Sequence, residues 1–303
     1  MTRTRRPHSL LPCLPCLPCL PLLPCLPCLP CLPRRPYLPW LVCLVLPVIL
    51  LVGGCRGGCG KRFAGVDRGD GKIPAIRAPK VRAGAIRVDG RLDEAAWKRA
   101  GRTGPFVHPG NGQEPRRSPV KAKARIAWDD RALYVGCTVH DADPTSPFAR
   151  DAPDPHIWAR SSGVELMIQP GDPGSNRHYY EVQVDVKGAV WDTRFDDYNL
   201  PRSRSRGGTR FGHQSWSSGM ERAIVVERAR GRYTVELALP WRSLRPGPGQ
   251  RTAIPPRPGD TWRINLYSFR DGQRAALAWS PILGLGNFHR TSRFGRVVFA
   301  GPG

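Results

Sequence analysis

From about residue 84 onward the chain alternates apolar and polar positions with a period of two, the pattern of half-buried strands. Val120, Ala122, Ala124, Ile126 and Trp128 fall on one face, and Lys121, Lys123 and Arg125 on the other. After Asp129-Asp130-Arg131 the alternation resumes at Leu133, Val135, Cys137 and Val139, which predicts a hairpin with Cys137 as a core thiol. VELMIQ and YYEVQVDVKG predict a second hairpin around a turn rich in Gly, Asp, Pro and Asn. RAIVVERARGRYTVELALP predicts a third, and TWRINLYSF and GRVVFA further strands. Helix is confined to residues 92–100, with Asp93 able to cap it. Trp97, Trp128 and Trp262 occupy helix or apolar-parity positions and read as core. Many short strands joined by turns predict an all-β fold: an antiparallel β-sandwich of immunoglobulin-like or jelly-roll type with one short N-terminal helix.

Parity in the second hairpin separates two sets of side chains. Val164, Leu166 and Ile168 point one way, and Glu165 and Met167 the other. Val182, Val184 and Val186 share a face whose reverse carries Glu181, Gln183 and Asp185. With the apolar sets in the core, Glu165, Glu181, Gln183 and Asp185 are displayed on one outer surface. Trp158 precedes this hairpin in HIWARSSG, read as a loop. An indole beside carboxylates and amides has the composition of a sugar site, because the flat apolar ring stacks on pyranose C–H groups while polar groups take the hydroxyls. Any sandwich also has a polar outer face, so spacing alone leaves both readings open.

Composition adds an unusual N-terminus. The 303 residues carry 47 Lys and Arg against 24 Asp and Glu, a formal charge of +23. Nine of the ten Cys lie in the first 59 residues and only Cys137 beyond them, which excludes a disulfide framework for the folded part. Residues 1–36 are dominated by Leu-Pro-Cys triplets whose repeated Pro forbids helix and central strand. They read as a low-complexity tail or as a start codon assigned too far upstream. Residues 37–55 follow two arginines with an apolar run and end in Gly53-Gly54-Cys55, the three-part order of a secretory signal. That ending resembles a bacterial lipoprotein signal, in which Cys55 becomes the lipidated first residue. An uncleaved anchor is the other reading, and either one exports the domain as a membrane-anchored protein of the bacterial cell envelope. Residues 56–83 are Gly-rich and charged without period, and read as a tether. Without residues 1–54 the chain keeps 42 basic against 24 acidic residues, a net +18. One apolar stretch of that length excludes a polytopic membrane protein. No Gly-rich nucleotide loop follows a strand, and no HExxH occurs.

Several segments, read in order, resemble the family 9 carbohydrate-binding modules. IRVDGRLDEAAWKRA (86–100) is similar to the family's opening strand and short helix, and RIAWDDRALYVGCTVHD (125–141) to its central hairpin. SGVELMIQP and YYEVQVDVKGAVWD (179–192) are similar to its next pair. YTVELALPWRSL (233–244), GDTWRINLYSF (259–269) and AWSP…RTSRFGRVVF (278–299) are similar to its last strands. The resemblance spans about 215 residues and places the domain at 84–303. It implies a sandwich that binds a poly- or oligosaccharide without catalysis, clamping a sugar between Trp158 and Phe288. Glu165, Gln183, Asp185 and Asn287 are the implied polar contacts. Phe288 stands where the family carries an indole, and Gln183 and Asp185 where it can carry Arg and Asn. Some members hold structural calcium, for which Asp141 and Asp143 are the candidate ligands; no other cofactor is implied.

Other classes remain in view. Glu165 and Asp185, on neighbouring strands, could form a hydrolytic pair, although no apolar pocket that would raise one acid is visible in the sequence. The family's modules are commonly joined to enzymes of polysaccharide breakdown. Related sandwiches hold haem b through Met with His or Lys, which draws attention to Met167, Met220, His108, His140, His156, His178, His213 and His289. The high positive charge fits a basic surface or adhesion protein without a specific pocket. No helix suits a nucleic-acid groove, so nucleic acid is not an expected partner.

Overall fold

The computed structural model describes residues 72–205, 208–270, 275–284 and 287–302. The triplet tail, the signal segment with Cys55 and the first part of the tether lie outside the described residues. In chain order the elements are β1 (Ala75–Lys80), α1 (Ala95–Arg99), β2 (Gly101–Pro105), β3 (Lys121–Trp128), β4 (Ala132–His140), α2 (Ile157–Arg160), β5 (Gly163–Gln169), β6 (Arg177–Asp185) and β7 (Val190–Asp197). They continue with β8 (Ser203–Ser205), β9 (Gly208–Arg210), β10 (Glu221–Glu227), β11 (Arg232–Pro240), β12 (Thr261–Phe269), β13 (Leu277–Ala278) and β14 (Gly295–Pro302).

Twelve strands form one curled mixed sheet in the order β10-β11-β4-β3-β1-β14-β12-β5-β6-β7, with β2 on β3 and β13 on β12. The three predicted hairpins are present, and the hairpin turning at Asp129–Arg131 pairs Trp128 with Leu133. The strand ladders are antiparallel except at β1, which runs parallel to both β14 and β3. This seam corrects the all-antiparallel expectation and places 75–80, within the stretch read as tether, in the sheet. Its alternation is only two apolar positions long, Ile76 and Ala78, too short to stand out from its surroundings. The indole N–H of Trp128 fastens the seam by donating to Ala78 O and Ala300 O, each at 3.1 Å.

Curling brings the two halves of the sheet face to face as a sandwich. Tyr233 Oη on β11 donates to Gly163 O on β5 at 3.4 Å, and Tyr180 Oη on β6 donates to Arg245 O at 3.0 Å. Between the halves lies the main core, with Val135, Cys137, Val164, Leu166, Val182, Val235, Trp262 and Phe299 among its members. Trp97, Trp128 and Trp262 are fully buried as expected, and burial pushes the Cys137 thiol up to about 12, leaving it an inert core group.

Both outer faces are also covered. On the first half, residues 81–100 with α1 pack Ile86, Ala96 and Trp97 over Tyr134 and Ala238. Gly136 on β4 leaves room for Leu92, whose Cδ2 would lie 2.5 Å from a β-carbon there. On the second half, Ile282, Phe288 and Phe294, with Tyr198 and Phe211, cover Met167, Tyr179, Phe195 and Tyr267. The face expected to be displayed to solvent is therefore buried, and what it carries becomes the floor of a cavity. The helix is shorter than predicted, Glu94 rather than Asp93 occupies its N-terminal boundary, and no side chain caps it.

Candidate functional site

A cavity of about 370 Å3 opens on the covered face of β5, β6 and β7. Strand register builds its floor. Glu165 faces Gln183 across β5 and β6, and Gln183 faces Trp191 and Glu181 faces Thr193 across β6 and β7. Trp158 stands at one side on α2, a turn of helix where a loop was expected, and is 41% exposed. Tyr198, Phe211 and residues 287–289 close the other sides. Gly212 permits the close approach of the Phe211 segment, since a β-carbon there would lie 2.3 Å from Thr193 Oγ1.

Gln183 organises the floor. Its Nε2 donates to Glu181 Oε1 at 2.7 Å and to Glu165 Oε2 at 3.2 Å, using both amide hydrogens. Its Oε1 accepts from the Trp158 backbone N–H at 3.1 Å and so ties α2 to the carboxyl pair. After these bonds, Glu165 Oε1, Glu181 Oε2 and Thr193 Oγ1 remain buried with no hydrogen-bond partner. Orphaned buried oxygens are costly, about 1–3 kcal/mol each, and point to a missing partner such as water or ligand.

The electrostatics follow from burial. Glu165 is pushed well above the usual carboxylate range by desolvation and then by Glu181, against the opposing Gln183 amide. Desolvation pushes Glu181 up to about 8, again against Gln183. His289 is pushed down to about 3 by desolvation. Although His289 Nε2 lies 3.8 Å from Glu181 Oε2, a neutral imidazole and a protonated acid do not form an ion pair. His289 Nδ1 shares a 2.7 Å hydrogen bond with Tyr179 Oη, and its ring stacks on Tyr198 at 3.8 Å.

Trp158, Glu165, Gln183, Asn287 and Phe288 all line this cavity. Phe288 is 6% exposed and stacks on Tyr267 at 4.1 Å with an interplanar angle of 4°, so one ring face is already occupied. Asn287 Nδ2 donates to Tyr198 Oη at 2.8 Å, and its Oδ1 accepts from His289 N. Asp185 does not line the cavity. Its Oδ1 accepts from Lys187 N and Ala189 N at 2.9 and 2.8 Å, and its Oδ2 from the Ser146 hydroxyl, so it holds the β6–β7 turn. The Glu165–Asp185 pair is thus replaced by Glu165 and Glu181. The apolar surroundings that raise these acids come from irregular segments that periodicity does not register. Tyr198 and Phe211 were missed for the same reason, Trp191 and Thr193 share parity across β7 but were not singled out, and His289 was named only as a haem candidate.

Asp141 and Asp143 do not fit a calcium site. Both face the Arg270 guanidinium, at 3.4 and 3.7 Å, and Asp141 also accepts from Asp143 N and the Ser162 hydroxyl. No group of three or more candidate metal ligands occurs among the described residues. Met167 and Met220 are buried in apolar clusters and present no thioether to a haem. A larger open cleft of about 1250 Å3 runs along the first half of the sheet past Arg131, Arg242 and Arg245. None of its described lining residues has a buried side-chain atom without a partner, whereas Glu165, Glu181 and Thr193 of the smaller cavity each do.

Comparison with curated protein sequences gives no match. Among solved structures, a family 9 carbohydrate-binding module from Caldicellulosiruptor kristjanssonii in complex with cellotriose is similar at 16% identity and a TM-score of 0.50. That similarity covers 76% of this chain and 95% of the other. A protein of Bacteroides uniformis for which carbohydrate binding is proposed is similar at 16% identity and a TM-score of 0.53, covering 74% and 98%. These similarities concern the fold. The decisive match is to the family described as "Carbohydrate family 9 binding domain-like", over residues 88–301. The chain belongs to that family.

Proposed function

We propose that this domain binds carbohydrate in the cavity over β5–β7 without transforming it. The observation that carries this reading is the pairing of three unpartnered buried oxygens with aromatic walls. A sugar ring stacked on exposed Trp158 would offer hydroxyls to Glu165 Oε1, Glu181 Oε2 and Thr193 Oγ1. The volume sits at the low end of the range of about 300–1,000 Å3 typical of small-molecule pockets, which suits one or two sugar rings. Family membership and the cellotriose complex of a structural neighbour support the same reading.

Gln183 acts as a positioning residue, since both amide hydrogens are committed to the acids. Hydrolysis is disfavoured: a glycosidase needs one ionised carboxylate as nucleophile or base, and burial pushes both cavity acids above the usual carboxylate range. The exported, lipid-anchored setting read from residues 37–55 would place the module in the cell envelope, attached through Cys55. There it would hold poly- or oligosaccharide for partner enzymes of breakdown.

A glycan array with the full-length chain and its Trp158→Ala variant, at low and physiological salt, tests this reading. Salt-resistant binding to a small set of sugars, lost in the variant, supports it. Binding only to polyanions, equal in both proteins and abolished by salt, would replace it with a basic surface protein working through the arginine cleft.

A further inference from the structure

We infer that the cavity is built for an amino sugar, a hexosamine whose free ammonium group sits between Glu165 Oε1 and Glu181 Oε2. The inference rests on the carbohydrate reading and names the class of sugar that this site takes.

Two carboxyl groups on one sheet face, joined through a single amide, supply more acceptor capacity than a neutral sugar needs. Both line the cavity while buried, at 1% and 3% exposure, and each keeps one buried oxygen without a hydrogen bond. A sugar hydroxyl brings one donor, whereas an ammonium brings three donors and the charge that an acid pair lacks. No cation of the protein fills that place. Among the described lining residues the only Lys or Arg is Arg210, exposed at the mouth.

The surroundings suit a cation as well. Trp158 and Trp191 line the same volume, and indole faces attract ammonium groups, whereas Tyr198 is stacked between Phe211 and His289 and Phe195 on Tyr179. The titratable groups facing the pair are Tyr179 from β6, Tyr267 from β12, Tyr198 and Arg210 from the covering segments, His289 from the closing segment and His156 beside α2. Burial pushes His289 down and the tyrosines up, which leaves all four uncharged at neutral pH, and the Arg210 guanidinium is exposed to solvent.

The proton balance differs between sugar types. An ammonium sugar entering the site converts a protonated acid to a carboxylate, and one proton leaves to the buffer. A neutral sugar releases none. Affinity for the amino sugar therefore rises with pH while its amine stays protonated.

Calorimetric titration of the full-length chain with a β-1,4 glucosamine trisaccharide, its N-acetylated form and cellotriose tests the inference. Each is measured at pH 5.5 and 6.5 in two buffers of different protonation heat. The glucosamine trisaccharide should bind about tenfold tighter than the other two, tighten with pH and release close to one proton. Glu165→Gln and Glu181→Gln should each lose most of that preference. Should either variant misfold, the proton count on the unaltered chain decides alone. Cellotriose binding as tightly as the amino sugar, or release of no proton, overturns this inference and leaves the carbohydrate reading standing. Binding of no sugar overturns both.

Discussion

The two covered faces of the sheet each bury carboxyl groups, and they treat them in opposite ways. On the first half, Glu236 of β11 is saturated. Its Oε2 accepts from Asp89 N at 2.9 Å and Gly90 N at 2.7 Å, and its Oε1 accepts from Trp97 Nε1 at 3.0 Å. Gly90 makes this clip possible, with φ at +86° and Val225 Cγ2 2.7 Å from where a β-carbon would stand. Burial pushes Glu236 up to about 7, and the three donors keep it from rising further. On the second half, Glu165 and Glu181 share one amide and leave an oxygen each unused. A buried acid that its own chain satisfies is a fastener. One left unsatisfied beside a cavity is half of a binding site.

That contrast can be broken by substitution, beginning with the largest effect. Glu236→Ala strands three donors, two of them buried, and should cost roughly 3 kcal/mol in urea unfolding, with sugar affinity unchanged. Glu181→Gln should do the reverse at high pH. The folded-state pKa of Glu181 is raised, so the native state binds more protons than the unfolded chain. Wild-type stability is then full below the ordinary carboxylate range and falls as pH rises towards about 8. Melting temperatures should show the variant more stable than wild type at pH 9, by an amount on the order of a few kcal/mol, and equal to it at pH 4. A variant less stable at both values would contradict the account.

Smaller effects sharpen the picture. Trp158→Ala should weaken sugar binding by about 1–3 kcal/mol in titration calorimetry and leave the melting temperature unchanged, because the ring is largely free of the core. Phe288→Ala should lower both together, since the ring is buried against Tyr267. The Asp141–Arg270–Asp143 cluster belongs with the satisfied acids. Excess calcium should leave the melting temperature where it is, and an upward shift would show that the ion displaces Arg270.

Strand order along the chain, the three hairpins and the inward parity of Val164, Leu166 and Ile168 were legible because a period of two is a strong local signal. The parallel seam was not, because β1 shows only Ile76 and Ala78 inward and finds its partners more than forty residues away. At the site, parity placed Glu165, Glu181 and Gln183 on one face, and the Trp158 indole was visible as an aromatic outside any strand. Parity also placed Asp185 there, but it is blind to the end of a strand, where turn amides claim the carboxylate. The cover of the face was out of reach of periodicity: the family resemblance named Phe288, and His289 entered only as a haem candidate. Tyr198, Phe211, Phe288 and His289 sit on irregular chain with no period, and only tertiary packing brings them over β5–β7.

The contrast between fastener and binding acid is read most directly by carbon NMR of the full-length chain with its glutamate side-chain carboxyls labelled, titrated with the glucosamine trisaccharide and with cellotriose. The Glu165 and Glu181 signals should move with bound sugar while Glu236 stays fixed. Sugar binding that leaves Glu165 and Glu181 unmoved, or that moves Glu236 equally, would contradict the account.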